Sequence, residues 1–258
     1  MTDKPTVLLI HGMWSRPRVW EAARAHLEAR GHTVLAPALP GHDIAPGDPV
    51  PPELAGYGLA DYVDALEAVA RTVDGPLVVA GHSLGGLLAQ LLAVRVQPAG
   101  LALLSPAPSA DILAIGLEPL RTTWPLVSRW GFWHRTTLIP REAALYGIFN
   151  NVPAADAERE VAELIPDSGR VLGEILAGAL HSGKPARVDY ARLAMPALVM
   201  VGTADRITPA GVARATARRL GGPVRYRELD DVGHWLFHAA VLNQVLGELD
   251  GFLDTLRA

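Results

Sequence analysis

The sequence predicts an α/β protein: a mostly parallel, doubly wound sheet that carries an inserted helical segment. Three observations lead there. Short runs rich in leucine and β-branched residues alternate with longer helical patterns. Those runs are continuously apolar more often than alternating, as expected of strands covered on both faces. The rhythm breaks once, from about Asp111 to Arg187, and resumes at "MPALVMVGTADRITP".

The expected strands are Thr6–Ile10, Thr33–Ala36, Leu77–Ala80, Leu101–Leu104, Ala197–Val201 and Val224–Glu228. The expected helices are Arg18–Arg30, Leu59–Thr72, Leu84–Val94, Pro209–Leu220 and Ala240–Leu256. Gly31 stands where a helix-ending glycine belongs, and Pro209 suits a first helical turn. The proline-rich "PGDPVPPELAGYG" (46–58) reads as a surface loop. Inside the interruption the strand signal disappears, and helical patterns are expected at Ala154–Ile165 and Gly169–His181. The expected division is a core of residues 1–110 and 188–258 with a helical cap at 111–187. No internal repeat or low-complexity tract is visible.

With 258 residues, 50% of them hydrophobic, the chain can bury one large core. A formal net charge of -4 gives no strong field toward nucleic acid, and none is expected as a partner. The lack of cysteine excludes disulfides, thiolate metal sites and cysteine nucleophiles. Near the N-terminus only Val7–Ile10 forms an apolar run, shorter than the roughly 7–15 residues of a secretory signal. No stretch approaches the roughly 20 apolar residues of a membrane span. A cytoplasmic protein without stable membrane insertion is therefore expected, its oligomeric state left open.

The chemistry centres on Gly81-His82-Ser83-Leu84-Gly85, which follows an expected strand and opens an expected helix. In that setting the serine sits on a strained turn, its oxygen projecting beside a helix N-terminus, while close strand–helix packing demands small neighbours. The plainer reading is a tight turn. A serine nucleophile needs a base. Among nine histidines, His234 follows the last expected strand in a glycine-containing loop, with His238 in reserve. The base needs an acid to fix its tautomer. Asp205 lies just past a strand end, although it could simply cap the following helix; Asp111, Asp230 and Asp231 are rivals. The backbone N–H groups of Leu84 and Met13 are the candidate oxyanion donors.

With these residues in place, the chain resembles the α/β-hydrolase superfamily. "LLIHG", "GHTVLAPALPGHD", "VVAGHSLGG", "VGTADRITP" and "GHW" occur in the family's order over almost the whole length. The resemblance implies a catalytic triad of Ser83, Asp205 and His234, an oxyanion hole from Met13 and Leu84, and a cap after the sixth family strand. It also implies catalysis without cofactor or metal. There are departures. The chain opens at what would be the family's third strand, so a sheet without the first two is expected. The oxyanion stretch is "HGMW", a short form rather than a multi-glycine one; in the family the short form goes with ordinary acyl esters and thioesters more than with bulky tertiary-alcohol esters. Serine at the elbow argues against dehalogenases and epoxide hydrolases. Trp235 after the histidine, where plant hydroxynitrile lyases carry lysine, argues against that activity.

The insertion holds Trp124, Trp130, Phe132, Trp133, Tyr146 and Phe149. Most are expected to form the cap's own core, with some roofing an apolar pocket. The expected pocket residues are Trp14, Trp124, Trp130, Trp133, Tyr146 and Trp235. Arg121, Arg129, Arg135 and Arg141 form either a solvated face or a contact to a substrate phosphate or carboxylate. The expected function is hydrolysis of a small-molecule carboxylic ester or thioester with an apolar acyl group. The alternatives are an acyltransferase, cyclase or C–C-cleaving enzyme on the same triad, or a non-catalytic receptor.

Overall fold

A computed structural model describes residues 4–113 and 116–256, so the outer limits of the expected core, 1 and 258, lie outside them. Six strands form one parallel sheet: β1 (Thr6–Ile10), β2 (Val34–Leu35), β3 (Leu77–His82), β4 (Gly100–Leu104), β7 (Ala197–Gly202) and β8 (Val224–Leu229), in the order β2-β1-β3-β4-β7-β8. β1, β3, β4 and β7 are buried almost throughout, which is why they read as unbroken apolar runs. Successive residues serve opposite faces. Leu8, Ile10, Val79 and Leu103 join the core under α2 (Leu59–Ala70), α3 (Leu84–Val96) and α8 (Ala210–Ala217). Val7, Leu9, Ala80 and Leu104 join the core under α1 (Glu21–Ala29) and α9 (Ala239–Thr255). β8 is an edge strand and mostly half-buried rather than continuously apolar, its Arg225 and Arg227 pairing with Glu248 of α9.

The first helical stretch begins as a 3-10 turn over Pro17–Trp20 before becoming α1. Gly31 holds φ +82° beyond its end, the conformation a helix-ending glycine permits. α3 is apolar nearly all round because the sheet, α2 and the chain after β4 enclose it.

The segment between β4 and β7 carries α4 (Leu117–Val127), α5 (Arg141–Gly147), α6 (Ala154–Ala162) and α7 (Gly169–Ala177). α6 and α7 lie where helices are expected. α4 and α5 are additional. Pro119, Pro125 and the adjacent Thr122–Thr123 hid α4, since proline and β-branched residues score against a helix interior. The segment is not devoid of strand: β5 (Thr136–Thr137) pairs antiparallel with β6 (Asp167–Ser168), a ribbon too short for periodicity to reveal. Its apolar residues, among them Leu126, Ile148, Phe149 and Leu172, pack with Trp14 and Trp235 of the sheet's upper loops. Arg16 and Arg18 pair with Glu163 and Glu160 across the same junction. Among the described residues no helix is long and apolar enough to cross a membrane.

Candidate active site

β1 leads to a strand on one side of the sheet and β3 to strands on the other, so the loops leaving their carboxyl ends diverge. A crevice at such a switch point is where open α/β sheets bind ligands. Ser83 sits there, directly after β3. It holds φ 56°, ψ −120°, a conformation that costs a side-chain-bearing residue energy. Backbone hydrogen bonds hold it: its N–H donates to Leu104 (3.0 Å), and its C=O accepts from Gly86 and Ala107 (2.9 Å each). The flanking glycines are steric necessities. A Cβ on Gly81 would lie 2.0 Å from the Gly85 carbonyl oxygen, and one on Gly85 2.1 Å from that of Ile10.

His234 follows β8 and is buried, with its Nδ1 2.7 Å from Asp205 Oδ2. Asp205 Oδ1 accepts the N–H groups of Ile207 (3.0 Å) and Thr208 (2.8 Å). The turn-capping role and the histidine-partner role thus belong to one carboxylate, one oxygen each. An acceptor facing Nδ1 puts the imidazole proton there and leaves the Nε2 lone pair free. The Thr208 hydroxyl lies 2.9 Å from Asp205 Oδ2, 3.0 Å from the Ser105 C=O and 3.1 Å from His234 Nδ1. Sequence reasoning missed it; the Asp-x-x-Thr spacing was the available signal. The rivals stand elsewhere: Asp111, Asp230 and Asp231 are exposed. His238 is the N-cap residue of α9, off the cavity wall, where burial lowers its pKa against the pull of Asp156.

Two further histidines set the backbone around Ser83. Burial, then the neighbouring His234, holds the His82 pKa well below 6.5. The neutral ring points Nε2 at the His234 C=O, 3.0 Å away, and so donates to it. His11 is pulled down to about 3, by burial first and by His42 second. Its Nε2 accepts the Leu39 N–H (3.2 Å), so the proton is on Nδ1, which donates to the Gly12 C=O (2.9 Å). Because a peptide unit is planar, fixing the Gly12 carbonyl also fixes the direction of the Met13 N–H. This loop crosses close to the serine: a Cβ on Gly12 would lie 3.2 Å from Ser83 Cβ. Leu84, first residue of α3, has an N–H with no intrahelical acceptor.

A cavity of about 310 Å³ opens above these groups. Ser83, His234, Met13 and Leu84 all line it. Its far wall comes from the insertion and is aliphatic: Leu120, Leu164, Leu172, Ile175 and Leu176. Trp14 and Trp235 line it as expected, whereas Trp124, Trp130, Trp133 and Tyr146 do not. α4 turns Leu120 and Thr123 inward, and one residue further round the helix Trp124 points out, 59% exposed. Trp130 is 87% exposed and meets Trp133 edge-on at 5.0 Å. Tyr146 lies under the guanidinium groups of Arg121 and Arg206, at 4.0 and 4.7 Å. Arg141 pairs with Glu158 and Glu142, and no Asp, Glu, Lys or Arg is among the described lining residues.

The sequence model of the "Alpha/beta hydrolase family" matches residues 7–243. The chain belongs to this family. Among curated relatives of this family member, a pimeloyl-[acyl-carrier protein] methyl ester esterase from Aromatoleum aromaticum is 29% identical, covering 90% of this chain and 92% of the relative. A pyrethroid hydrolase from Sphingobium wenxiniae is 27% identical over 84% of this chain and 77% of its own length. Among solved structures, a monoacylglycerol lipase from Paleococcus ferrophilus superposes with a TM-score of 0.74 at 18% identity, covering 99% of this chain and 96% of its own, a likeness of fold.

Proposed function

We propose that this alpha/beta hydrolase cleaves carboxylic esters or thioesters of apolar acyl groups through an acyl-enzyme on Ser83. One observation carries the reading: Ser83 and His234 face the same cavity, and Asp205 grips the opposite side of the His234 ring at 2.7 Å. His234 Nε2 takes the Ser83 proton as the oxygen attacks the carbonyl. The tetrahedral oxyanion rests on the N–H groups of Met13 and Leu84, each worth roughly 3 kcal/mol in the transition state. Collapse expels the alcohol or thiol, protonated by the imidazolium. Water, deprotonated by the same nitrogen, then releases the acid.

In this reading residues 111–187 act as a cap over a core of 1–110 and 188–258, and the aliphatic wall supplied by α4 and α7 selects the substrate. An uncharged cavity of about 310 Å³ suits a neutral, medium-sized chain and disfavours a charged group near the scissile bond. The esterase and hydrolase relatives favour ester chemistry. The test is a p-nitrophenyl ester series alongside labelling with a fluorophosphonate. Wild type is expected to take the label and to prefer butyrate-to-octanoate esters over acetate, and Ser83→Ala to lose label and turnover while keeping its melting temperature. Undiminished turnover in Ser83→Ala refutes the acyl-enzyme; a preference for acetate refutes the apolar acyl pocket.

A further inference from the structure

A second buried cluster lies beside the oxyanion loop, and its centre comes from the insertion. Asp167 of β6 is fully buried. Its Oδ1 accepts the Tyr62 hydroxyl (2.8 Å) and the Ser168 N–H (2.6 Å). Its Oδ2 accepts the Trp14 N–H at 3.1 Å and lies 3.1 Å from His42 Nε2. His42 Nδ1 faces the Pro40 C=O at 3.1 Å, while Nε2 approaches Asp167 Oδ2 as a charge contact without hydrogen-bond alignment, so the ring, when protonated, forms an ion pair with the carboxylate. The carboxylate therefore has two partners on each oxygen.

Trp14 is the residue after the oxyanion donor. It holds φ 57° and is gripped on three sides by the β5–β6 ribbon and the residues leading into β6: Asp167 takes its N–H, the Ile165 N–H donates to its C=O (3.0 Å), and the Thr137 hydroxyl meets its indole Nε1 (3.4 Å). On the other side of Met13, His11 holds the Gly12 carbonyl. Both peptide planes flanking Met13 are thus fixed, one from the core and one from the insertion.

We propose that Asp167 is a positioning residue for the oxyanion hole: by holding the Trp14 N–H it fixes the peptide plane that follows Met13 and, with His11 fixing the plane before it, keeps the Met13 N–H on aim, so that seating of the insertion and completion of the site are one event. This rests on the acyl-enzyme reading above. Asp167→Asn isolates the effect. The amide has one acceptor oxygen. The Ser168 N–H and Tyr62 hydroxyl, the closer pair, hold it, leaving the NH2 group toward Trp14. His42 then loses its proton and accepts from that NH2, so no buried charge is stranded, but the Trp14 N–H faces a donor. Tyr62→Phe is the control: it deletes a hydrogen bond to Asp167 without touching Trp14.

The experiment compares wild type, Asp167→Asn and Tyr62→Phe for kcat and KM on p-nitrophenyl butyrate, Kd for butaneboronic acid, and melting temperature. A boronate forms a tetrahedral adduct on the serine and reads the oxyanion site directly. Asp167→Asn is expected to lower kcat about 10- to 100-fold, weaken the boronate by a similar factor, and leave KM within about 3-fold. Tyr62→Phe should lose stability yet keep kcat and boronate affinity within about 3-fold. Equal losses in the two variants, or boronate affinity retained in Asp167→Asn, overturn the proposal. If Asp167→Asn does not fold, an ester in place of the Met13–Trp14 amide removes the same N–H and must give the same kcat and boronate losses. A wild type that neither turns over esters nor takes the fluorophosphonate overturns the acyl-enzyme reading and this proposal together. An active wild type with an unimpaired variant overturns this proposal alone.

Discussion

Replacing Asp205 by asparagine changes one atom and, by the geometry, inverts the base. Asp205 Oδ1 accepts two backbone N–H groups, from Ile207 and Thr208, at 3.0 and 2.8 Å. An amide nitrogen there would face two donors, so the asparagine keeps its oxygen at that position and turns NH2 toward His234. The imidazole must then accept at Nδ1 and carry its proton on Nε2, where the proposed mechanism needs a lone pair. Loss of the correct tautomer costs about 10³–10⁴ in kcat, roughly 4–5.5 kcal/mol. The fold loses little, because the turn keeps its acceptor and the buried amide keeps partners. The assay is steady-state kcat on p-nitrophenyl butyrate beside a thermal melt: kcat should fall by that factor while the melting temperature moves by only a few degrees, about 1 kcal/mol or less. An Asp205→Asn variant within about 10-fold of wild type would refute the tautomer argument, and a collapsed fold would refute the claim that the turn retains its acceptor.

Other substitutions and conditions test the surrounding frame. Gly85→Ala, with a Cβ 2.1 Å from the Ile10 carbonyl oxygen, should fail to fold or melt far below wild type. Gly247→Ala, with open space at the Cβ position in α9, should raise stability by up to about 1 kcal/mol in urea unfolding. The buried His42–Asp167 pair predicts a stability window. Burial alone lowers the His42 pKa, but the Asp167 carboxylate and nearby carbonyls outweigh it and hold the group above 6.5. Burial alone raises the Asp167 pKa, and His42, Tyr62 and the Ser168 N–H outweigh it, holding the group below 3.8. The His42 contribution is therefore complete below pH 6.5 and lost as pH rises through its raised folded value; the Asp167 contribution is present above 3.8 and lost as pH falls through its lowered one. Melting temperatures across pH should decline on both flanks, and His42→Gln should flatten the alkaline one. Trp130→Ala, at an 87% exposed position away from the cavity, should leave kcat/KM within about 2-fold.

The sequence by itself determined the sheet and its central turn. Strands buried on both faces are apolar at nearly every position, so β1, β3, β4 and β7 announced themselves, and the small residues around Ser83 followed from a strand and helix in contact. The order of Ser83, Asp205 and His234 was legible because each stands just beyond a strand in a parallel sheet, whose carboxyl ends share one edge. The insertion was decided only by tertiary structure. Its helices are held by packing on Trp14 and Trp235 rather than by propensity, as α4 with its two prolines illustrates. The direction of its side chains followed from that packing, which turned Trp124 and Trp130 to solvent and Leu120 and Leu172 to the cavity. Asp167, Tyr62, His42 and Trp14 carry no shared spacing that a linear reading could recognise. The Asp167 charge can be buried there only because three distant segments, those of Trp14, His42 and Tyr62, bring it partners beside the adjacent Ser168 N–H, and that is a property of the folded chain.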